Sequence, residues 1–196
     1  MRSIILIAED HSVVRLGTII MLEEMYPNVT VYEASNFDDV ITILNQTKFD
    51  LLILDIHIPG GDNLKMIEIV KFRQPEIRIL MFSSYDERLF ALNYIHAGAL
   101  GYLQKDSCSK TFKTAIKKVM NNERFISEDM QKAMFSGWLG KGNKPQNGLK
   151  GLSAREIEIM NLLIKGYRTN EIKSILNIQA STISTHKERI FSKLNV

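Results

Sequence analysis

Over the first 124 residues, short runs of aliphatic and β-branched residues alternate with stretches whose apolar positions recur every three or four residues. Runs at 3–8, 29–33, 50–55, 77–82 and 100–103 have the length and composition of strands. Each is followed by a helical pattern: Val13, Leu16 and Ile20; Val40, Ile43 and Leu44; Leu64, Ile67 and Val70; Leu89, Leu92 and Ile95; Phe112, Ala115 and Val119. Strict alternation of five strands and five helices predicts βα units and a parallel sheet. The first, third and fourth runs are apolar almost throughout, as strands covered by helices on both faces must be.

The pattern then changes. Apolar residues persist to Trp138 and Leu139, but Gly140 to Gly148, with Pro145 among them, offers glycine, asparagine and lysine and nothing to bury. That is a linker composition, so residues 125–149 are expected to be a linker, partly helical at its start. Helical periodicity resumes at Leu152. Ser153-Ala154-Arg155-Glu156 is a capping box, in which serine and glutamate satisfy helix-start donors in both directions. A helix through Ile157, Met160, Leu163 and Ile164 should stop at Gly166, a shorter one carries Ile172, Ile175 and Leu176, and a last one carries Ile183, Ile190 and Leu194. Residues 150–196 thus read as a small all-α domain behind an α/β domain at 1–124.

Composition narrows the class. Of the 196 residues, 45% are hydrophobic and 24% charged, a balance that sustains a core and argues against disorder. No apolar stretch approaches the ~18 residues of a membrane span, and the start lacks the pattern of a signal peptide; a cytoplasmic protein without membrane contact is expected. The single cysteine, Cys108, excludes an internal disulfide, and His11, His57, His96 and His186 are too scattered for a zinc site. The net charge of +3 hides an asymmetry: residues 150–196 carry eight basic side chains against four acidic ones, a local +4 that leaves −1 on residues 1–149. A basic C-terminal segment points to nucleic acid.

Candidate chemistry gathers where the hydrophobic runs stop. The first ends at Glu9-Asp10, the third at Asp55, and the fifth near Lys105. On neighbouring parallel strands these groups would converge outside the carboxyl ends, where open α/β sheets bind ligands. Magnesium prefers oxygen ligands and takes one or two carboxylates besides water and phosphate oxygens. Asp55 could then attack phosphorus as a nucleophile, with the metal and Lys105 offsetting the anionic repulsion. Ser83 follows the fourth strand, where a hydroxyl could bond a phosphoryl oxygen, and Tyr102 lies three residues before Lys105. Strand-end carboxylates also cap helices, as Asp10 or Asp62 could, but the conjunction favours a pocket.

Four segments carry a resemblance: Ala8-Glu9-Asp10-His11 with Val14-Arg15-Leu16-Gly17, Leu54-Asp55-Ile56-His57-Ile58-Pro59-Gly60, Phe82-Ser83-Ser84, and the run from Ala97 through Gly101-Tyr102-Leu103-Gln104-Lys105 to Asp106. Together they resemble the receiver domain of two-component response regulators over residues 1–124. The resemblance implies a flavodoxin-like doubly wound five-stranded parallel sheet of order 2-1-3-4-5. It implies Asp55 as phosphoacceptor, and Glu9, Asp10, Asp55 and the backbone carbonyl of His57 around Mg2+. Ser83 and Tyr102 match the switch pair and Lys105 the phosphate-binding lysine. Glu9 stands where the family more often has aspartate.

Residues 152–196 resemble the LuxR-type helix-turn-helix domain of the NarL/FixJ class, through Leu152-Ser153-Ala154-Arg155-Glu156, Asn170-Glu171-Ile172, Leu176-Asn177-Ile178, Ser181-Thr182-Ile183-Ser184-Thr185-His186 and Lys193-Leu194-Asn195-Val196. In such a domain the second helix of the motif enters the major groove. Ile183, Ile190 and Leu194 would face inward and leave Ser184, Thr185 and Glu188 toward base edges, with Thr182 in the same DNA-contact set. Lys187, Arg189 and Lys193 would meet phosphates. The family normally continues into a fourth helix, which an end at Val196 would leave out, whether by nature or because the chain is truncated. The expectation is a DNA-binding regulator that takes a phosphoryl group on Asp55 from a sensor histidine kinase and acts as a homodimer on double-stranded DNA. It would catalyse nothing beyond its own phosphorylation and dephosphorylation. The alternative is a phosphorylation-independent regulator whose receiver only dimerises. An enzyme on the same sheet fits less well: a haloacid-dehalogenase-like phosphatase wants an aspartate where His57 stands, and a flavodoxin wants a hydroxyl-rich loop where Glu9-Asp10 stands.

Overall fold

Strands β1 (Ile4–Ala8), β2 (Thr30–Ala34), β3 (Leu51–Leu54), β4 (Arg78–Ser83) and β5 (Gly101–Gln104) pair in parallel in the order β2-β1-β3-β4-β5. The structure is a computed structural model and describes residues 3–128, 130–132, 152–164, 167–176 and 178–194. Every strand begins and ends within one residue of the sequence expectation, and the order is the flavodoxin-like one. Helices α1 (Ser12–Met25), α2 (Phe37–Gln46), α3 (Asn63–Arg73), α4 (Glu87–Ala97) and α5 (Ser109–Met120) connect and cover the strands. Ala8 lies opposite Ala34 and Leu54, Leu54 opposite Met81, and Ser83 opposite Gln104. This register brings the carboxyl ends of the central strands level, so the residues that follow them share one rim.

The core lies between the sheet and its helices. Ile5, Ile7, Leu51, Ile53, Leu80 and Phe82 pack with Phe112, Ala115, Ile116 and Val119 of α5. The apolar spacing that marks α1 as a helix does not mark its inner face: Val13, Leu16 and Ile20 are 81%, 58% and 49% exposed, while Thr18 and Leu22 are buried. Thr18 can be buried because its hydroxyl donates to the Val14 carbonyl at 2.8 Å, so a polar letter hides the true inner face.

At the amino end of β3, Gln74 fastens the turn that leads out of α2. Its Nε2 donates to the carbonyls of Leu44 (2.8 Å) and Thr47 (2.7 Å), and its Oε1 accepts from the Phe49 N–H (3.0 Å). At the open edge of β5, the chain leaving α5 is laid against the strand. The Phe125 N–H donates to Leu100 O at 2.9 Å, and the Tyr102 N–H donates to Phe125 O at 3.0 Å. A Cβ on Gly101 would stand 2.9 Å from Leu80 Cδ1, 3.0 Å from Val119 Cγ2 and 3.2 Å from Phe125 Cβ, so any side chain here would have to displace its packed neighbours.

The chain divides into two compact units, Met1–Ala133 and Met134–Val196. In the second, α6 (Ala154–Ile164), α7 (Thr169–Leu176) and α8 (Ala180–Leu194) surround Ile159, Leu162, Ile172, Leu176, Ile183 and Ile190, with Leu194 partly buried beside them. The capping box forms: Glu156 Oε2 accepts from the Ser153 N–H at 2.6 Å, and Ser153 Oγ accepts from the Glu156 N–H at 3.3 Å. Ile164 is exposed, because Ile159 and Leu162 occupy the inner positions of α6. The expected helix stop at Gly166 and the linker around Pro145 lie outside the described residues.

Candidate functional site

The ladder of β1 continues past its last residue, with the Glu9 N–H donating to Ala34 O and the Asp55 N–H to Ala8 O. These two bonds fix the backbone from which Glu9 and Asp55 leave the strand ends. Both side chains are buried. Lys105, immediately after β5, is held by its own N–H donating to Ser83 O at 2.8 Å. Its ammonium donates to Asp55 Oδ2 at 2.9 Å and lies 2.6 Å from Glu9 Oε2. The ammonium is thus the group that compensates the buried Glu9 oxygen. Burial pushes the Lys105 ammonium down, but Asp55 and Glu9 outweigh it, and the net shift is upward. The lysine stays charged at neutral pH.

The rest of the rim is closely tied. Arg15 donates to Glu9 O at 2.6 Å and to Glu33 Oε2 at 2.8 Å. The His57 N–H donates to Asp55 Oδ1 at 3.2 Å. His11, absent from the sequence-derived site, sits with Nδ1 3.0 Å from Glu9 Oε1 and 2.7 Å from Asp10 Oδ1. The bond to Glu9 and the charge of Asp10 push its imidazole up, against burial and Lys105. Ligand atoms of Glu9, Asp10, His11 and Asp55 all lie within 4.8 Å of one another. Three carboxylates face one ammonium, an excess of negative charge built from hard oxygen donors with Asp10 at the open side. This donor set fits a divalent cation.

Ser83 and Tyr102 meet behind the rim. Ser83 Oγ accepts from the Tyr85 N–H at 3.1 Å. Tyr102 is fully buried; its hydroxyl donates to Tyr85 O at 3.1 Å and also interacts with Ser83. Burial pushes this phenol far up. Sequence reasoning missed Tyr85, which joins the two sides of the mouth. Its hydroxyl is hydrogen-bonded to His57 Nε2, and its ring stacks on Phe90 with centroids 4.9 Å apart.

On α8, Thr182, Ser184, Thr185, Glu188 and Arg189 are exposed and Lys187 is half-buried. The hydroxyls of Ser184 and Thr185 donate back to Ala180 O and Ser181 O, each at 3.1 Å. Lys193 does not stand free for a phosphate: its ammonium donates to Glu156 Oε2 at 2.7 Å. Burial pushes the Glu156 carboxyl up, but the bonds from Lys193 and Ser153 outweigh it and hold the group at about 2. The sequence could not reveal this pairing, because the partners lie 37 positions apart.

Comparison with known proteins agrees with both parts. Residues 5–117 match the family of the response regulator receiver domain, and residues 150–196 match the bacterial regulatory proteins of the luxR family. The response regulator UvrY of Escherichia coli K12 is 29% identical over 192 residues, spanning 98% of this chain and 88% of its own. The oxygen regulatory protein NreC of Staphylococcus carnosus is 28% identical over 198 residues, spanning 98% and 91%. RcsB of Salmonella enterica serovar Typhimurium, solved bound to promoter P1flhDC in the presence of the phosphomimetic BeF3−, shares the fold with a TM-score of 0.68 at 24% identity, over 99% of this chain and 93% of that one. No helix among the described residues is long and apolar enough to cross a membrane. With a receiver match over more than half its length and a luxR-type match behind it, the chain belongs to the response regulators that regulate transcription through a DNA-binding domain.

Proposed function

We propose that Asp55 takes a phosphoryl group from the phosphohistidine of a sensor histidine kinase and that this event switches DNA binding. The domains are the receiver at 1–124, the linker at 125–149 and the DNA-binding domain at 150–196. Support comes above all from one observation, the Lys105 ammonium held between the buried carboxylates Glu9 and Asp55 at the rim of the sheet. Glu9, Asp10, Asp55 and the His57 carbonyl would hold Mg2+, which supplies charge neutralisation and polarisation of the phosphoryl group when bound. An Asp55 oxygen attacks phosphorus, the P–N bond to the donor histidine breaks, and an acyl phosphate remains. Lys105 is placed to pass from the Asp55 carboxylate to a phosphoryl oxygen, and the Ser83 hydroxyl to reach another. Such a switch needs only a few kcal/mol of differential stability.

For the output, Thr182, Ser184, Thr185 and Glu188 are proposed at base edges and Lys187 and Arg189 at phosphates, on a two-fold site occupied by a homodimer in the cytoplasm. Lys193 is assigned to the fold instead. The test is incubation with acetyl phosphate and Mg2+, followed by intact mass and DNA affinity. The wild type should gain one phosphoryl group and bind DNA more tightly, and Asp55→Ala should do neither. An equal response of Asp55→Ala would refute the assignment, and tight DNA binding that ignores phosphorylation would favour a receiver that only dimerises.

A further inference from the structure

The segment that carries the chain out of the receiver is tied to the same residues that form the switch. Phe125 bridges β5 through the N–H of Tyr102 itself. Two residues on, the Ser127 N–H donates to Glu87 Oε1 at 2.7 Å. Glu87 is buried and is the first residue of α4, where the helix N-terminus favours its charge. It follows two residues after Tyr85, whose carbonyl holds the Tyr102 hydroxyl. Ser127 in turn starts a helical turn, its Oγ accepting from the Met130 N–H at 3.2 Å and its carbonyl from the Gln131 N–H at 3.0 Å.

The exit segment is therefore attached at two points, one on a switch residue and one at the start of α4. Its first anchor is the backbone of Tyr102. Its second is the carboxylate of Glu87, in the first turn of α4, four residues after Ser83. A buried carboxylate that loses an N–H donor loses a charge-assisted bond without gaining full hydration, so the contact favours two discrete states, made or broken.

We propose that Glu87 and the Phe125 bridge clasp the exit segment to β5 and α4 while Tyr102 is inside, and that a change at Asp55 reaches the DNA-binding domain by altering this clasp. The coupling rests on the reading of Asp55 as phosphoacceptor, but the clasp itself can be tested without it. In the full chain, amide hydrogen exchange at Ser127 should rise about ten-fold or more in Glu87→Ala, the loss expected for a charge-assisted bond. Glu87→Gln keeps an acceptor oxygen and should restore much of the protection. Tyr102→Leu, which removes the hydroxyl, should also raise exchange at Ser127. Beryllofluoride with Mg2+ should alter Ser127 exchange and DNA affinity in the wild type, and Glu87→Ala should lose the gain in DNA affinity while still taking up phosphoryl groups at the wild-type rate. Equal Ser127 exchange in wild type, Glu87→Ala and Tyr102→Leu would overturn the proposal, as would an equal beryllofluoride-driven gain in DNA affinity in wild type and Glu87→Ala. If beryllofluoride leaves the wild-type Lys105 amide unchanged, the phosphoacceptor reading fails, and the untreated variants still decide the clasp.

Discussion

Replacing Lys105 with methionine isolates what the ammonium does for the fold. It lies 2.6 Å from Glu9 and 2.9 Å from Asp55, contacts worth about 6 kcal/mol each in gross Coulomb energy at an effective dielectric of about 20. Desolvation of three charges and repulsion between the carboxylates take back most of that. What remains after the lysine is removed is a pair of buried carboxylates without a counter-charge, and breaking a buried pair in this way destabilises by about 3–5 kcal/mol. Taking about 3 kcal/mol and a urea dependence of about 2 kcal/mol per molar, the midpoint should fall by about 1.5 M. Near-ultraviolet circular dichroism, to which the buried Tyr94 and Tyr102 contribute, would follow the transition. Divalent cation should rescue the variant more than it stabilises the wild type, since a ligand at a hundred times its Kd adds about 2.7 kcal/mol and here also replaces the missing charge. The wild type carries a further mark: its raised lysine value means the contribution is present below 10.5 and is lost as pH climbs through the folded value, a limb the variant should lack. A variant as stable as wild type in chelator, with the same alkaline limb, would refute the reasoning.

Other outcomes follow from the same geometry. Lys193→Ala should destabilise the α6–α8 unit by about 0.5–1 kcal/mol, as for a partly exposed pair, and leave the salt dependence of DNA binding unchanged, whereas Arg189→Ala should reduce that slope by about one. Because Glu156 is held at about 2 against an ordinary 4.5, its contribution is present above 4.5 and lost as pH falls toward 2; Glu156→Gln should flatten that acid limb in circular dichroism. Burial pushes His186 below its ordinary 6.5, against Glu156 and with Arg189, Arg155 and Lys193, and its Nδ1 is buried without a hydrogen-bond partner. The unfolded chain then takes up a proton first, so the unit should lose thermal stability as pH drops through 6.5, and His186→Gln should not. Gly101→Ala should destabilise by about 1–3 kcal/mol through overpacking and raise exchange at the Phe125 N–H; an unchanged Phe125 amide would show that the edge tolerates a Cβ.

The strands were legible because buried parallel strands are written as unbroken apolar runs, and Leu51 to Leu54 could be little else. Their order was not in the pattern; it came with the motifs at Glu9-Asp10, Asp55 and Lys105. Strand ends announce a rim, so the carboxylates and the lysine could be placed together before any coordinates. The inner face of α1 is not legible in the pattern because Thr18 counts as polar although its hydroxyl is satisfied inside its own helix. Tyr85 and Glu87 escaped notice because their partners, His57 and Ser127, lie 28 and 40 positions away. Phe125 makes a one-residue bridge, too short to leave any periodicity.

Gln74 has a consequence for the order in which the receiver is assembled during synthesis. The two carbonyls and the amide it satisfies belong to residues 44, 47 and 49, all translated well before it. Thr47 emerges 27 residues earlier, which at about 5–20 residues per second is roughly 1–5 s. During that interval the turn from α2 into β3 exists as sequence but lacks the group that satisfies its backbone. Gln74 is made just before β4 begins at Arg78, so the α2–β3 turn can be closed only as the next strand starts to arrive.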